Sequence, residues 1–219
     1  MGQFVQYFSK IAMWHLNRKS VKGNLVTMGD KSSPLQLTTS QRIGNLASPI
    51  SDFRVLLRYY GLIPMLQWII HVETHPSKSR YLQTLYRLEN LFNVCYYPLE
   101  HVYWLAAHNI ISITPETRDK VGMWSCRFWA AYVFTYFVHL YEDYKDLLRR
   151  EKRLIKDGEN VDSVREEKKA LMVNAMINAA YAPLTVHWSL EKSSFPDIGV
   201  GLCGAIAAVG QLWAAWRAA

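Results

Sequence analysis

The sequence predicts an all-α fold, in which amphipathic and hydrophobic helices form a membrane-associated bundle that ends in a C-terminal transmembrane helix. Three observations lead there. Apolar residues recur at i, i+3, i+4 and i+7 in one segment after another. Residues 198–216 contain a single strongly polar side chain, Gln211. The 219-residue chain also has a net charge of +7 and 13% aromatic residues. Tyr and Trp combine an apolar body with a polar tip, which suits membrane interfaces as well as packed cores. A basic balance beside broad apolar faces favours an acidic lipid surface over nucleic acid, for which there is no recognition motif. The mean hydropathy of −0.06 leaves the decision to how the apolar residues are distributed.

One domain is expected over 1–219: an amphipathic helix (1–22), a flexible linker (23–40), amphipathic helices (41–113), a helical hairpin with a charged turn (114–194) and a hydrophobic membrane helix (195–217). Phe4, Tyr7, Phe8, Ile11 and Trp14 form the apolar face of the first helix, over 3–17. Gly23, Gly29, Asp30, Ser32, Ser33 and Pro34 mark the linker. A second helical region runs from about Thr39 to His71, interrupted at Pro49 and Pro64, with Ser51-Asp52 capping a fresh start. There Phe53, Leu56, Leu57, Tyr60 and Ile63 share one face and Arg54 and Arg58 another. The third helix spans about Lys78 to Ile113. Arg80, Gln83, Arg87, Asn90, Asn93 and Glu100 trace its polar stripe, and a wide apolar face includes Leu85, Leu88 and Phe92. Such a width fits a bundle core and an interfacial membrane helix alike.

Thr114-Pro115-Glu116 starts a fourth helix, since Pro is tolerated in a first turn. Its Val121–Tyr141 stretch suits a buried core or a span. The charged run from Glu142 to Lys169, with a turn around Asp157-Gly158, reads as a solvated helix end and the start of a fifth helix at Ser163. Pro183 marks a kink or break in that helix. Residues 198–216 make a helix about 28 Å long, close to the hydrocarbon thickness of a bilayer. Gly201 and Ala205, and Gly204 and Ala208, stand four apart and let another helix approach closely. Trp213, Trp216 and Arg217 suit an interface anchor.

Chemical motifs are thin. Gly199, Gly201 and Gly204 have dinucleotide-fingerprint spacing, but they lie in the apolar tail without the strand such a loop requires. His71 and His75 flank Glu73 at metal-ligand spacing, with no third ligand evident and Pro76 ending the helix. Glu142 and Asp143, near His139, are read as a solvated face rather than an acid–base set. Cys95, Cys126 and Cys203 lie far apart in apolar stretches, as expected of buried thiols in a reducing compartment. No secretory signal is expected: apolar residues from Phe4 to Leu16 alternate with polar ones, and Gln6 replaces the hydroxyl residue of a myristoylation site. Neither an enzyme nor any cofactor or metal is expected.

Three stretches resemble the peroxin-eleven family of peroxisomal membrane proteins, which has glycosomal relatives. Gln6-Tyr7-Phe8-Ser9-Lys10 is similar to its early amphipathic helix. The central signature is matched by Ser51-Asp52-Phe53-Arg54, Leu56-Leu57-Arg58, Gly61-Leu62-Ile63-Pro64 and Gln67-Trp68. The run from Pro183-Leu184-Thr185-Val186-His187-Trp188 to Glu191 resembles the segment before its last hydrophobic helix. The resemblance implies a helical protein of the peroxisomal membrane that promotes elongation, proliferation and fission. Its implied partners are itself, related family members and the organelle fission machinery. On the reading of the residues, Phe53, Arg54, Leu57, Arg58, Arg80, Leu85, Arg87, Leu88 and Phe92 meet an anionic phospholipid membrane, and Gly201, Gly204, Ala205 and Ala208 pack helices. The alternative is a pore for small metabolites lined by Gln83, Arg87, Asn90 and Asn93. A soluble helical adaptor is a third reading.

Overall fold

The computed structural model describes residues 2–23, 38–77 and 79–218; most of the linker expected at 23–40 lies outside the described residues. The described residues are nearly all helical and no strand occurs among them, so the all-α expectation holds. In chain order the helices are α1 (Gly2–Gly23), α2 (Thr39–Tyr60), α3 (Leu62–Thr74), α4 (Arg80–Ala107), α5 (Pro115–Asp157), α6 (Asp162–Ser189) and α7 (Asp197–Ala218).

Helix ends follow local chemistry. Thr38 and Gln41 form a reciprocal capping box at the start of α2, each side chain bonded to the other's backbone N–H. Thr114 accepts from the Thr117 N–H at 3.2 Å, with Pro115 in the first turn of α5. At the far end of α5, Gly158 takes φ 73°, a left-handed turn that costs glycine little.

Three boundaries differ from expectation. Pro49 lies inside α2 rather than ending it, and Ser51-Asp52 caps nothing, because the capping box starts the helix twelve or more residues earlier. The break comes instead at Gly61, leaving Pro64 in the first turn of α3, where a missing N–H forfeits no helical bond. The third helix stops at Ala107, not Ile113, because Asn109 takes φ 57°. Pro183 sits within a continuous α6.

Packing runs α4 on α5, α5 on α6, α6 on α7, α7 on α1 and α1 on α2, and α2 returns to α4. Six helices therefore close a ring, with α3 resting on α4. The apolar core sits where α1, α6 and α7 meet: Tyr7, Ile177, Tyr181, Leu184, Val200 and Ala207 are all buried. Full burial of a large side chain contributes about 1.5–3 kcal/mol, so this three-helix contact outweighs surface pairs at about 0–1 kcal/mol each. Arg150–Glu167 (2.7 Å) and Lys168–Glu151 (2.9 Å) join α5 to α6 in that minor role.

Between α4 and α5 the contact is polar. Glu89 and His139 are both buried, with Nδ1 of His139 3.0 Å from the Glu89 carboxylate. The imidazole faces α4, with Tyr86 edge-on at 4.5 Å, while Glu142 pairs with Lys145. Burial alone would lower the His139 pKa, but the hydrogen bond and charge of Glu89, helped by Asp143, raise it above its ordinary value. The stabilisation is therefore fully present below the unfolded value of 6.5 and lost as pH climbs through the raised folded value. Glu89→Gln is expected to cost roughly 3 kcal/mol at about pH 5.5, with the deficit shrinking toward about pH 8.5. Thermal melts of both proteins in uncharged detergent across that range check this; a deficit constant with pH would show that the imidazole stays neutral.

Candidate functional site

Two features stand out together: an apolar exterior and a polar interior. On α2 and α3, Phe53, Leu57, Tyr60, Ile63, Leu66 and Ile70 are exposed, as are Leu202, Ile206, Val209 and Leu212 on α7. An ordinary water-soluble surface rarely exposes a contiguous apolar patch beyond a few hundred Å². Two helical stretches are long and apolar enough to cross a bilayer, Gln41–Thr74 and Asp197–Arg217, and only 6% and 33% of their apolar windows are buried. The 22 residues of α7 give about 33 Å of helix against about 30 Å of hydrocarbon. At its end the Arg217 guanidinium lies 4.4 Å over the Trp213 ring, and Trp216 is 81% exposed. Met65–Val72 by itself is too short to span; the near-continuous α2–α3 run supplies the missing length.

The expected membrane residues separate into three groups. Phe53, Leu57, Arg80 and Leu88 lie on the surface, and Phe92 is half-buried. Arg87 is exposed but holds Glu73 through two bonds of 2.8 and 2.6 Å, tying α4 to α3. Leu85 is buried, and Arg54 and Arg58 turn inward. The reason is angular: positions 54 and 58 occupy the face of α2 that meets α1 and α4, about 100° round the helix from Phe53 and Leu57. Arg58 grips Glu100 on α4 in a fork of 2.5 and 2.6 Å. Arg54 donates to the Gln6 side chain on α1 and lies 5.7 Å over the Tyr7 ring.

The small residues of α7 are used within the chain. A Cβ on Gly201 would stand 2.9 Å from Cγ1 of Ile11, and one on Gly204 would enter the Tyr7 ring. Ala208 is buried, and Ala205 packs at the edge of the same core. Thus one face of α7 is committed to α1 and α6, leaving the Leu202–Ile206–Val209 face outward.

Inside the ring is a cavity of about 550 Å³ with walls from α1, α2, α4, α5, α6 and α7, including Gln6, Arg54, Arg58, Asn93, Glu100 and Tyr132. Trp129 stacks on Trp188 at 5.9 Å and meets Tyr181 edge-on at 5.6 Å along its wall. Burial pushes the Cys126 thiol up to about 11, leaving it a poor nucleophile, and raises the Tyr132 hydroxyl. An adjoining cavity shares Glu100, Tyr103, Cys126 and Trp188 and is bordered by Glu116, Asp119 and Glu191. Of the expected lumen positions, Asn93 borders the cavity. Gln83 is bonded instead to the Val72 carbonyl at 3.0 Å, and Asn90 is buried. Among the described residues no three His, Cys, Asp or Glu side chains are grouped to hold a metal. Sequence reasoning missed the Tyr96, Tyr132 and Trp129 wall, because their helical spacing matches that of any apolar face.

A family model described as Peroxisomal biogenesis factor 11 (PEX11) matches residues 2–216. An uncharacterized protein of Schizosaccharomyces pombe is 28% identical over 178 residues, covering 81% of this chain and 78% of that protein. No solved structure matches.

Replacing Gly204 by Val should force α1 off α7 and lower stability by about 1–3 kcal/mol, the usual cost of overpacking. The outward Leu202→Val is expected to stay within about 0.5 kcal/mol. Thermal unfolding in detergent compares the two; equal melting would mean that α1 does not dock at Gly204.

Proposed function

The chain belongs to the peroxisomal biogenesis factor 11 family and is a protein of the peroxisomal membrane with a proliferation-related role, and from that premise we propose that it elongates this membrane by shallow insertion of the outer face of α2 and α3. One observation carries the reading: Phe53, Leu56, Leu57, Tyr60 and Ile63 are all exposed along α2 and the start of α3, while the expected headgroup cations Arg80 and Arg87 are exposed on α4. Inserted into one leaflet, that face adds area there and favours curvature, while α7 holds the protein in the bilayer. Arg80 is exposed for an anionic headgroup; Arg87 reaches one by exchanging Glu73, since an exposed pair is worth only about 0–1 kcal/mol. Copies concentrate through the outward face of α7, and the elongated membrane becomes the substrate of the fission machinery.

A second reading is favoured by the ring of helices: an interior with Asn93, Arg54, Arg58 and Glu100 inside an apolar exterior is the layout of a small-solute pore. Conductance across planar bilayers, changed by Asn93→Leu, would support it over membrane shaping.

Membrane shaping is tested with Phe53→Glu/Leu57→Glu, which places two charges on the inserting face at roughly 2–3 kcal/mol each. Imaged against a peroxisomal matrix marker at raised expression, the variant should still rim the organelle while elongation is lost. Elongation equal to that of the unaltered chain would sink the insertion mechanism.

A further inference from the structure

Arg54 carries a charge that the fold does not neutralise. Arg58, one turn away, spends Nε and Nη2 on Glu100. Arg54 instead faces neutral groups, donating to the Gln6 amide oxygen and lying over the Tyr7 ring. No carboxylate pairs with it among the described residues. A half-buried guanidinium without a counter-charge is costly unless something else supplies one. Neutral donors share the cavity with it. Gln6 also donates to Ser51 Oγ at 2.9 Å, which leaves the Ser51 hydroxyl proton free to be given away. Asn93 and Tyr132 border the same cavity, and burial holds the Tyr132 hydroxyl in its protonated, donating form.

From this geometry we propose that the cavity inside the helix ring binds a singly charged anion of the phosphodiester or carboxylate class, seated on Arg54 with Ser51, Asn93 and Tyr132 as neutral donors. The count of charges on the wall sets the valence: two guanidiniums against the one carboxylate of Glu100 leave one positive charge. A dianion is disfavoured, because Glu100 stands on the same wall and Glu116, Asp119 and Glu191 border the adjoining cavity. The volume of about 550 Å³ holds a headgroup-sized ligand. Two sources offer this chemistry, a phospholipid headgroup entering from the bilayer and a small soluble anion. The inference goes beyond membrane shaping and stands whether or not α2 and α3 insert.

The test uses the full chain in uncharged detergent, titrated with dihexanoyl-phosphatidylglycerol and followed by intrinsic tryptophan fluorescence, to which Trp129 and Trp188 on the cavity wall contribute. A saturable change is expected, weakened about tenfold or more in Arg54→Gln, as for loss of a charge-assisted contact. Arg153→Gln, exposed and outside the cavity, should titrate like the unaltered chain. Hexyl glucoside, an uncharged amphiphile, should give no saturable change. If the chainless headgroup glycerophosphoglycerol saturates equally well, the anion comes from solution; if only the chain-bearing form saturates, it is a lipid. Should Arg54→Gln lose helical content, Ser51→Ala is read in its place, with a smaller loss of about threefold. Equal titration of the folded variant and the unaltered chain, or an equal response to hexyl glucoside, would overturn the proposal.

Discussion

Everything in this molecule depends on how closely α1 can approach α7. Gly201 and Gly204 remove the side chains that would otherwise hold Ile11 and Tyr7 away. With Tyr7 seated in that gap, α1 completes the core shared with α6 and α7, and α2 can then be carried round to α4. The α2–α4 contact is narrow and is held by the Arg58–Glu100 fork and by Tyr59 stacked on His101 at 3.6 Å. Apolar burial thus builds most of the ring, and a partly buried ion pair together with aromatic stacking closes it.

The result has its polarity partly inverted. Glu89, His139, Gln83 and Asn90 are buried while Phe53, Ile63, Leu91 and Trp216 are exposed. In water such an arrangement would forfeit the burial of many large side chains, at about 25 cal/mol for each Å² left wet. In a bilayer the same faces are solvated by lipid, and polar groups must find partners within the protein. Glu89–His139, Arg58–Glu100 and Gln83 with the Val72 carbonyl are such partnerships. The ring that satisfies the polar groups is also what creates the cavity, so stability and any ligand-binding capacity share one cause.

Much of the helical layout was legible along the chain. The apolar period of α2, the Thr114-Pro115 start of α5, the Gly158 turn and the apolar length of α7 are local properties, set by neighbours within a few residues. The break expected at Pro49 did not occur, and α6 runs through Pro183 without one, because local sequence shows the lost N–H bond but not whether the rest of the helix outweighs it. The candidate site was less visible. Arg54 and Arg58 shared a face with helical spacing, but spacing does not say whether that face meets lipid, water or another helix.

The sequence alone therefore determined the helical class, the apolar lengths and the small-residue stripe of α7, since these depend on intrinsic side-chain chemistry and helical period. Tertiary structure alone decided that the stripe receives α1, that His139 meets Glu89 across 50 residues, and that the two arginines face inward. Those outcomes depend on which helices become neighbours, and an apolar face carries the same pattern whether its partner is protein or lipid.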